Sequence, residues 1–509
     1  MKDIKTLVEI CKKKGQRSIQ LVNQNFRKKE VSKDNQLYQG ILEERFLTDQ
    51  DASNAIFNSD PNSRNYRNAK GKLKHKLLNH LYFLDYDKES YTLADKVGYE
   101  LEHQLHQSKI LIREGATDIA RNQLQHAVKI AAQFEFSEIQ VAALRLLVKI
   151  FAKEGKLNHF HETITSLNQA QAFDQGIKNA EHRYYEVIAK CNKSLSAQNK
   201  ILKDISAIAQ EIHNLGLHFQ STRLDVLGKN LQLLEMQLTF DFAGVLALAD
   251  KVEKQYLSKP RNQVRVDIDQ KKIAHLKLEA AYYLNKISDG AMYAQKAVIW
   301  FRPGNKDWFE FLELHFLLMM KGEAFREAAD LYRLVRTNKN FTSQSAITKQ
   351  RWTIYRAYVL FTYDHKLLRW GFDLAAFINT PKASSNGSER YPITTLVIQI
   401  MFLLKQGASA KVKEYIKLLA PYNSPHLDKR HNYRNSIFIR LLNIVVKEEF
   451  NSQAAKEKGV NYLRKLSKIN FPADITGDPE VIGYEILWKY IIDILETNKV
   501  FQHYRFYQK

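Results

Sequence analysis

The stretch "FEFLELHFLLMMKGEAFREAADLYRLV", Phe309 to Val335, decides the fold. Apolar residues recur at three- and four-residue steps on both sides of Gly322, which is the helical period. The stretch reads as a helix, a tight turn at Gly322, and a second helix whose packing face opens with Phe325, Ala328, Ala329 and Tyr332. Small residues at such positions let two helices approach closely, and large aromatics beside them fill the groove. Glycine at the turn is expected to supply a left-handed cap. The arrangement recurs along the chain. "ATDIARNQLQHAVKIAAQF" sets Ala120, Ala127 and Ala131 on one side of a helix, and "SEIQVAALRLLVKIFAKEGKL" follows as a second helix closed by Gly155. "LEAAYYLNKISDGAMYAQKAVIWF" repeats the pattern. Period-two alternation is almost absent, so the expected fold is all-α, with at most a short strand or two near the N-terminus.

Composition agrees. Of 509 residues 45% are apolar, enough for a large interior, while 19 Gly and 9 Pro leave little room for turn-rich or disordered sections. The length suggests three or so domains at about 100–200 residues each, unless stacked helical units make up the bulk, since such arrays grow by addition. Two cysteines far apart, Cys11 and Cys191, exclude a disulfide framework and a multi-cysteine zinc site. "MKDIKTLVEICKKKGQ" lacks the apolar core of a signal peptide, and the runs "FLLMM" and "LVIQIMFLL" are too short to span a bilayer. A soluble cytoplasmic protein without a membrane partner is expected. The net charge of +22 favours polyanionic partners, against the plainer reading of a basic, solvated surface.

The charge is uneven. Residues 1–85 hold 17 Lys and Arg against 10 Asp and Glu. Within them "SRNYRNAKGKLKHKLLNHLYFLD" carries Arg64, Arg67, Lys70, Lys72, Lys74 and Lys76, with no acid before Asp85. On a helical wheel Tyr66, Ala69, Leu73, Leu77, Leu81 and Leu84 share one stripe, which should pack, while the cations flank it. A surface helix normally mixes signs. One carrying a single sign repels itself, and an anionic partner would relieve that. Upstream, Thr48 is an expected helix cap with Asp49 and Asp51 in the first turn, Ala52, Ala55 and Ile56 form a small apolar face, and "NSDPNS" makes a turn before Ser63, a second cap. A short helix, a turn and a longer basic helix is the order found in helix-turn-helix DNA readers. A second basic group, Lys429, Arg430, Arg434 and Arg440, lies among Tyr433 and Phe438. It suits phosphate contact or base stacking, or else simply a helix packed through Ile437, Leu441 and Leu442.

The paired helices resemble tetratricopeptide-type repeats over Leu101 to Phe361, with spacings of 37 residues from Ala291 to Ala328 and 40 from Gly115 to Gly155. That resemblance implies a right-handed helical-hairpin solenoid. The layout "LYQGILEERFLTDQDASNAIF…SRNYRNAKGKLKHKLLNHL" ahead of such repeats resembles bacterial transcriptional activators that join a winged helix-turn-helix domain to a tetratricopeptide-like domain. This implies that Ser63 to Leu81 is a recognition helix, though "YDKESYTLAD" offers little strand for a wing. The whole chain also resembles a group of bacterial helical-repeat proteins through "YRNSIFIRLL" and "YEILW", a likeness that brings no activity. The expected organisation is a basic helix-turn-helix-like module at 1–90, repeats at 91–378 and a C-terminal helical section at 393–509, with the break at "NTPKASSNGSERYP".

No enzyme is indicated. There is no glycine-rich phosphate loop and no nucleophile elbow. His103 with His106, and His159 with His161, lack further ligands at fixed spacing, so neither a metal nor a cofactor is expected. Asp267 and Asp269 read as a surface ion-pair cluster with Arg265, Lys271 and Lys272. Trp300, Trp308, Trp352, Trp370 and Trp488 read as core. The leading expectation is a regulator that binds DNA through the basic helix and a protein or peptide through the repeat groove. A pure interaction scaffold, or a sensor of a peptide or small ligand, stands beside it.

Overall fold

A computed structural model describes residues 32–43, 45–46, 48–81, 92–257, 269–363, 371–379, 392–423, 433–468 and 478–497. Among these residues there are twenty-one α-helices and no strand. Residues 86–91 of the segment proposed for a wing and 380–391 of the break near Asn386 lie outside them, as does Trp370, and the rest of the wing segment, Thr92–Asp95, is the cap and first turn of a helix rather than a strand. The first helices are α1 (Lys33–Leu42), α2 (Asp49–Phe57), α3 (Arg64–His80), α4 (Leu93–Arg113), α5 (Thr117–Gln133), α6 (Ser137–Lys153) and α7 (Leu157–Lys193). Then come α8 (Leu195–Phe219), α9 (Thr222–Leu238), α10 (Phe242–Val252), α11 (Gln270–Tyr283), α12 (Ile287–Ala297), α13 (Lys306–Lys321), α14 (Phe325–Thr337) and α15 (Ala346–Thr362). The last are α16 (Leu374–Asn379), α17 (Pro392–Lys405), α18 (Ser409–Leu418), α19 (Tyr433–Lys447), α20 (Ser452–Ser467) and α21 (Tyr484–Thr497). The chain divides into two compact units, Met1–Arg183 with Asn214–Leu224 and Lys259–Asp267, and Tyr184–His213 with Asp225–Ser258 and Ile268–Lys509. No described helix is long and apolar enough to cross a membrane.

Sequence neighbours pack as pairs: α4 on α5, α5 on α6, α11 on α12, α13 on α14, α19 on α20. One turn makes nine of the connections between helices adjacent in sequence. The amide that opens the next segment donates to the carbonyl five residues back, as in Ala116 to Leu111, Phe136 to Ala131, Ala324 to Met319 and Phe450 to Val445, at 2.9 Å each. The residue before that amide always has positive φ: Gly115, Glu135, Gly155, Gln220, Phe240, Asn285, Glu323, Gly407 and Glu449. This is the six-to-one closure that satisfies the orphan carbonyls of a helix end. Only three of the nine are glycine. The turn expected at Gly322 is shifted by one: Gly322 has φ −86°, and Glu323 is the left-handed residue. Gly322 is needed instead for space, because a Cβ there would run into Ile287.

Ala120, Leu124, Ala127 and Ala131 of α5 are fully buried in the first unit. In the second, Phe311, Phe316, Trp352 and Tyr355 fill the centre of the main core. Trp308 and Trp488 are core as well, while Trp300 is only half-buried. Alternate helices of this unit are joined by polar side chains. Lys272 of α11 donates to Asn230 of α9 at 3.2 Å, and Gln237 of α9 donates to Glu279 of α11. Arg351 and Tyr355 of α15 both donate to Glu313 of α13, at 2.6 and 2.7 Å. Asp269 caps α11 through the Lys272 amide (3.0 Å), and Asp267 lies outside the described residues. Next to α17, Asp478 accepts from the amides of Ile393 and Thr394, at 2.9 and 2.8 Å, and so caps that helix.

Two stability predictions follow from the turns and the core. Glu323 is exposed and strained, so Glu323→Gly should raise unfolding free energy by about 0.5–1 kcal/mol in a urea titration. Glu135 is equally left-handed, but its carboxylate accepts from the Thr222 and Arg223 amides at 2.9 and 3.1 Å and caps α9. Glu135→Gly should therefore destabilise by about 1 kcal/mol; equal signs for the two variants would mean that the Glu135 carboxylate adds nothing to stability as a cap. Burial holds the His315 imidazole down at a pKa of about 4. The unfolded chain takes up this proton near pH 6.5, so stability contributed by neutral His315 is lost as pH falls from 6.5 toward 4, by up to about 3 kcal/mol. A His315→Gln variant should show a flatter pH dependence of its unfolding midpoint across that window.

Candidate nucleic-acid interface

Helices α1, α2 and α3 pack on one another around Leu37, Ala52, Tyr66 and Leu73. Local chemistry fixes each end. Thr48 and Asp51 form a reciprocal capping box on α2, with the Asp51 amide donating to Thr48 Oγ1 at 3.2 Å and the Thr48 amide to Asp51 Oδ2 at 2.9 Å. Asn58 ends α2 in the left-handed region. In the turn, the Asn62 amide donates to Asp60 Oδ1 at 2.7 Å, and Ser59 and Ser63 share a hydroxyl contact of 2.9 Å. Ser63 then caps α3, accepting from the Tyr66 amide at 3.4 Å. Tyr66 lies edge-on to Phe57, with ring centroids 6.1 Å apart, and donates its hydroxyl to Asp49 at 2.6 Å. Burial first, and then Asp49, push the Tyr66 phenol up to about 12.

The packed stripe of α3 is shorter than its sequence implies. Tyr66, Ala69 and Leu73 are buried, but Leu77 is 40% and Leu81 52% exposed. Leu84 lies outside the described residues. At Lys76 the first turn of α1 presents the carboxylate of Asp34 rather than an apolar side chain, and among the described residues the apolar cluster takes in Tyr66 and Leu73 of α3.

The six cations divide into two kinds. Lys76 pairs with Asp34 at 2.6 Å, both side chains mostly buried (18% and 10% exposed). Burial pushes the Asp34 carboxyl up, but the Lys76 and Ser32 hydrogen bonds outweigh it and hold the group below its ordinary value. Lys70 straddles the Asp49 carboxylate at 2.7 and 2.8 Å, and this contact, with the Tyr66 hydroxyl, lowers the Asp49 pKa. Arg64, Arg67, Lys72 and Lys74 are exposed and have no carboxylate partner among the described residues. Sequence reasoning counted all six as available. It missed the two pairs because Asp34 and Asp49 come from other helices.

The second basic group is described only in part. Lys429 and Arg430 lie outside the described residues, and Arg440 is exposed on α19. Arg434 turns inward. It donates to both carboxylate oxygens of Glu480 at 2.8 Å each, to Glu485 at 2.7 Å and to the Leu466 carbonyl at 2.8 Å. Burial works against its charge, but the two carboxylates prevail and hold the proton more tightly than in free arginine. Its donors are spent tying α19, the end of α20 and the start of α21 together. Tyr484 stacks flat on Phe438 beside it, with centroids 4.2 Å apart. No signal in the local sequence separates this arginine from a ligand-facing one, because its partners lie about fifty residues away.

His159 and His161 are exposed, His106 is exposed and His103 half-buried. Among the described residues no group of three or more His, Cys, Asp or Glu is placed to hold a metal ion. No protein-family model matches the chain, and no curated protein or solved structure matches it.

The division of the cations is measurable. Lys76→Met should lower stability by about 1–3 kcal/mol by stranding the Asp34 carboxylate, whereas Lys72→Met should stay within about 0.5 kcal/mol of wild type. Equal effects in chemical denaturation would erase the distinction between structural and free cations.

Proposed function

We propose that this protein is a non-enzymatic regulator that binds double-stranded DNA through the outward face of α3 and a protein or peptide through its paired helices. The observation that carries the DNA reading is the set of exposed cations Arg64, Arg67, Lys72 and Lys74 on one helix, without a carboxylate partner among the described residues. Such a set costs stability by self-repulsion and gains it back when counterions are released from a phosphate backbone. The order short helix α2, turn, capped basic helix α3 supports a helix-turn-helix-like use of this face, with a connection of 58–63 that is longer than the usual three or four residues. For the paired helices, a tetratricopeptide-like solenoid is the finer reading. It is supported by the repeated turn and by the polar links between alternate helices α9, α11, α13 and α15. The first three of the nine turns, at Gly115, Glu135 and Gly155, stand 20 residues apart, which amounts to 40 residues per pair there.

The test is a fluorescence-anisotropy titration of a labelled duplex at several salt concentrations, comparing wild type with a variant carrying Arg64→Ala, Arg67→Ala, Lys72→Ala and Lys74→Ala. Wild type should bind with strong salt dependence, and the variant should bind weakly with a log–log salt slope shallower by about 3–4. Binding that is absent at low salt, or identical in the two proteins, would leave α3 a charged surface and favour an interaction scaffold without nucleic acid.

A further inference from the structure

Gly71 sits in the middle of α3 and is exposed. At 100° per residue it lies about 140–160° around the helix from Tyr66, Ala69 and Leu73, so it marks the centre of the outward face. A glycine there weakens the helix by roughly 0.5–1 kcal/mol relative to alanine. Nothing in the protein requires it: a Cβ built at Gly71 meets no atom within 4 Å, and the residue is not among those with positive φ. The four positions that surround Gly71 on the helix surface, three and four residues away in each direction, are Arg67, Asn68, Lys74 and His75. All four are exposed and all carry hydrogen-bond donors. His75 Nδ1 lies 3.3 Å from the Asn79 amide nitrogen on the same helix, and Nε2 takes no part in that contact. Arg67 and Lys74 have no carboxylate partner among the described residues.

The geometry points to a seat for one phosphodiester group over Gly71, ringed by Arg67, Asn68, Lys74 and His75. This rests on the DNA reading above and sharpens it to the point of closest approach. Without a side chain at Gly71 the helix surface steps inward by about 3 Å, the difference between the Cα cylinder and the side-chain envelope. Gly71 contributes room rather than donors, since its own N–H belongs to the helix. Arg67 and Lys74 bring positive charge and Asn68 and His75 further donors, all attached within about one turn of that hollow. A phosphate fits this set because its non-bridging oxygens accept several hydrogen bonds at once.

The experiment adds four single variants to the duplex titration. Gly71→Ala should weaken binding about tenfold or more while its thermal midpoint stays equal to or above that of wild type, because alanine favours the helix. Arg67→Ala and Lys74→Ala should each reduce the salt slope by about one, and Asn68→Ala should weaken binding with the slope unchanged, as expected for a neutral donor. If Gly71→Ala binds as tightly as wild type while Arg67→Ala and Lys74→Ala weaken binding, the seat is wrong and the DNA reading stands. If wild type binds no duplex, both fall. An equal loss for Gly71→Ala against poly-glutamate would overturn the assignment to phosphate.

Discussion

The backbone bond that closes each helix–helix turn governs the rest of the structure. It runs six-to-one across one left-handed residue, or two at Glu449 and Phe450, and uses only main-chain atoms. Three residues therefore suffice to reverse the chain, and the next helix begins at once on its predecessor. Everything that packs depends on that immediacy. Ala120, Ala127 and Ala131 can be as small as they are because the following helix is already held within reach. Because the bond asks nothing of the side chain, the left-handed position accepts Glu, Gln, Phe and Asn as well as Gly, at a cost in strain of about 1 kcal/mol or more for the residues other than glycine and asparagine. Packing of the flanking helices outweighs this strain at each site, and at Glu135 the strained residue also caps a neighbouring helix.

The basic helix α3 obeys a different economy. Its buried side is only three residues deep, and two of its lysines are held by carboxylates from α1 and α2. These contacts secure the helix with one edge, so the opposite face owes nothing to folding. Same-sign charge and a central glycine both weaken an isolated helix, and both are concentrated on that free face. In the proposed function the two costs have a single source, a polyanion that neutralises the charge and needs the space.

Much of this was legible in the sequence. The all-α character, the caps at Thr48 and Ser63 and the inward side of Tyr66, Ala69 and Leu73 follow from periodicity and from local hydrogen-bonding chemistry. These depend on residues within a few positions of one another. What escaped depends on distant partners. Asp34 and Asp49 remove two cations from the apparent basic surface, and Glu480 and Glu485 turn Arg434 from a surface residue into a clamp. Leu77 and Leu81 sit on the correct side of the wheel, but at Lys76 α1 presents Asp34 rather than an apolar side chain. The turn near Gly322 was misplaced by one residue for a reason of another kind. Glycine marks a place where a side chain will not fit as well as one where φ is positive, and here the two demands fall on adjacent residues.

The links between alternate helices α9, α11, α13 and α15 differ in kind from the turns. They are made at the ends of lysine, glutamine, glutamate and arginine side chains, which pivot about several bonds. A turn closed by main-chain atoms has no such play. In this stretch the polar links therefore add to packing at the seams between helix pairs, which no turn of this kind closes. Helices are thus fastened by backbone atoms within a pair and by side chains from one pair to the next.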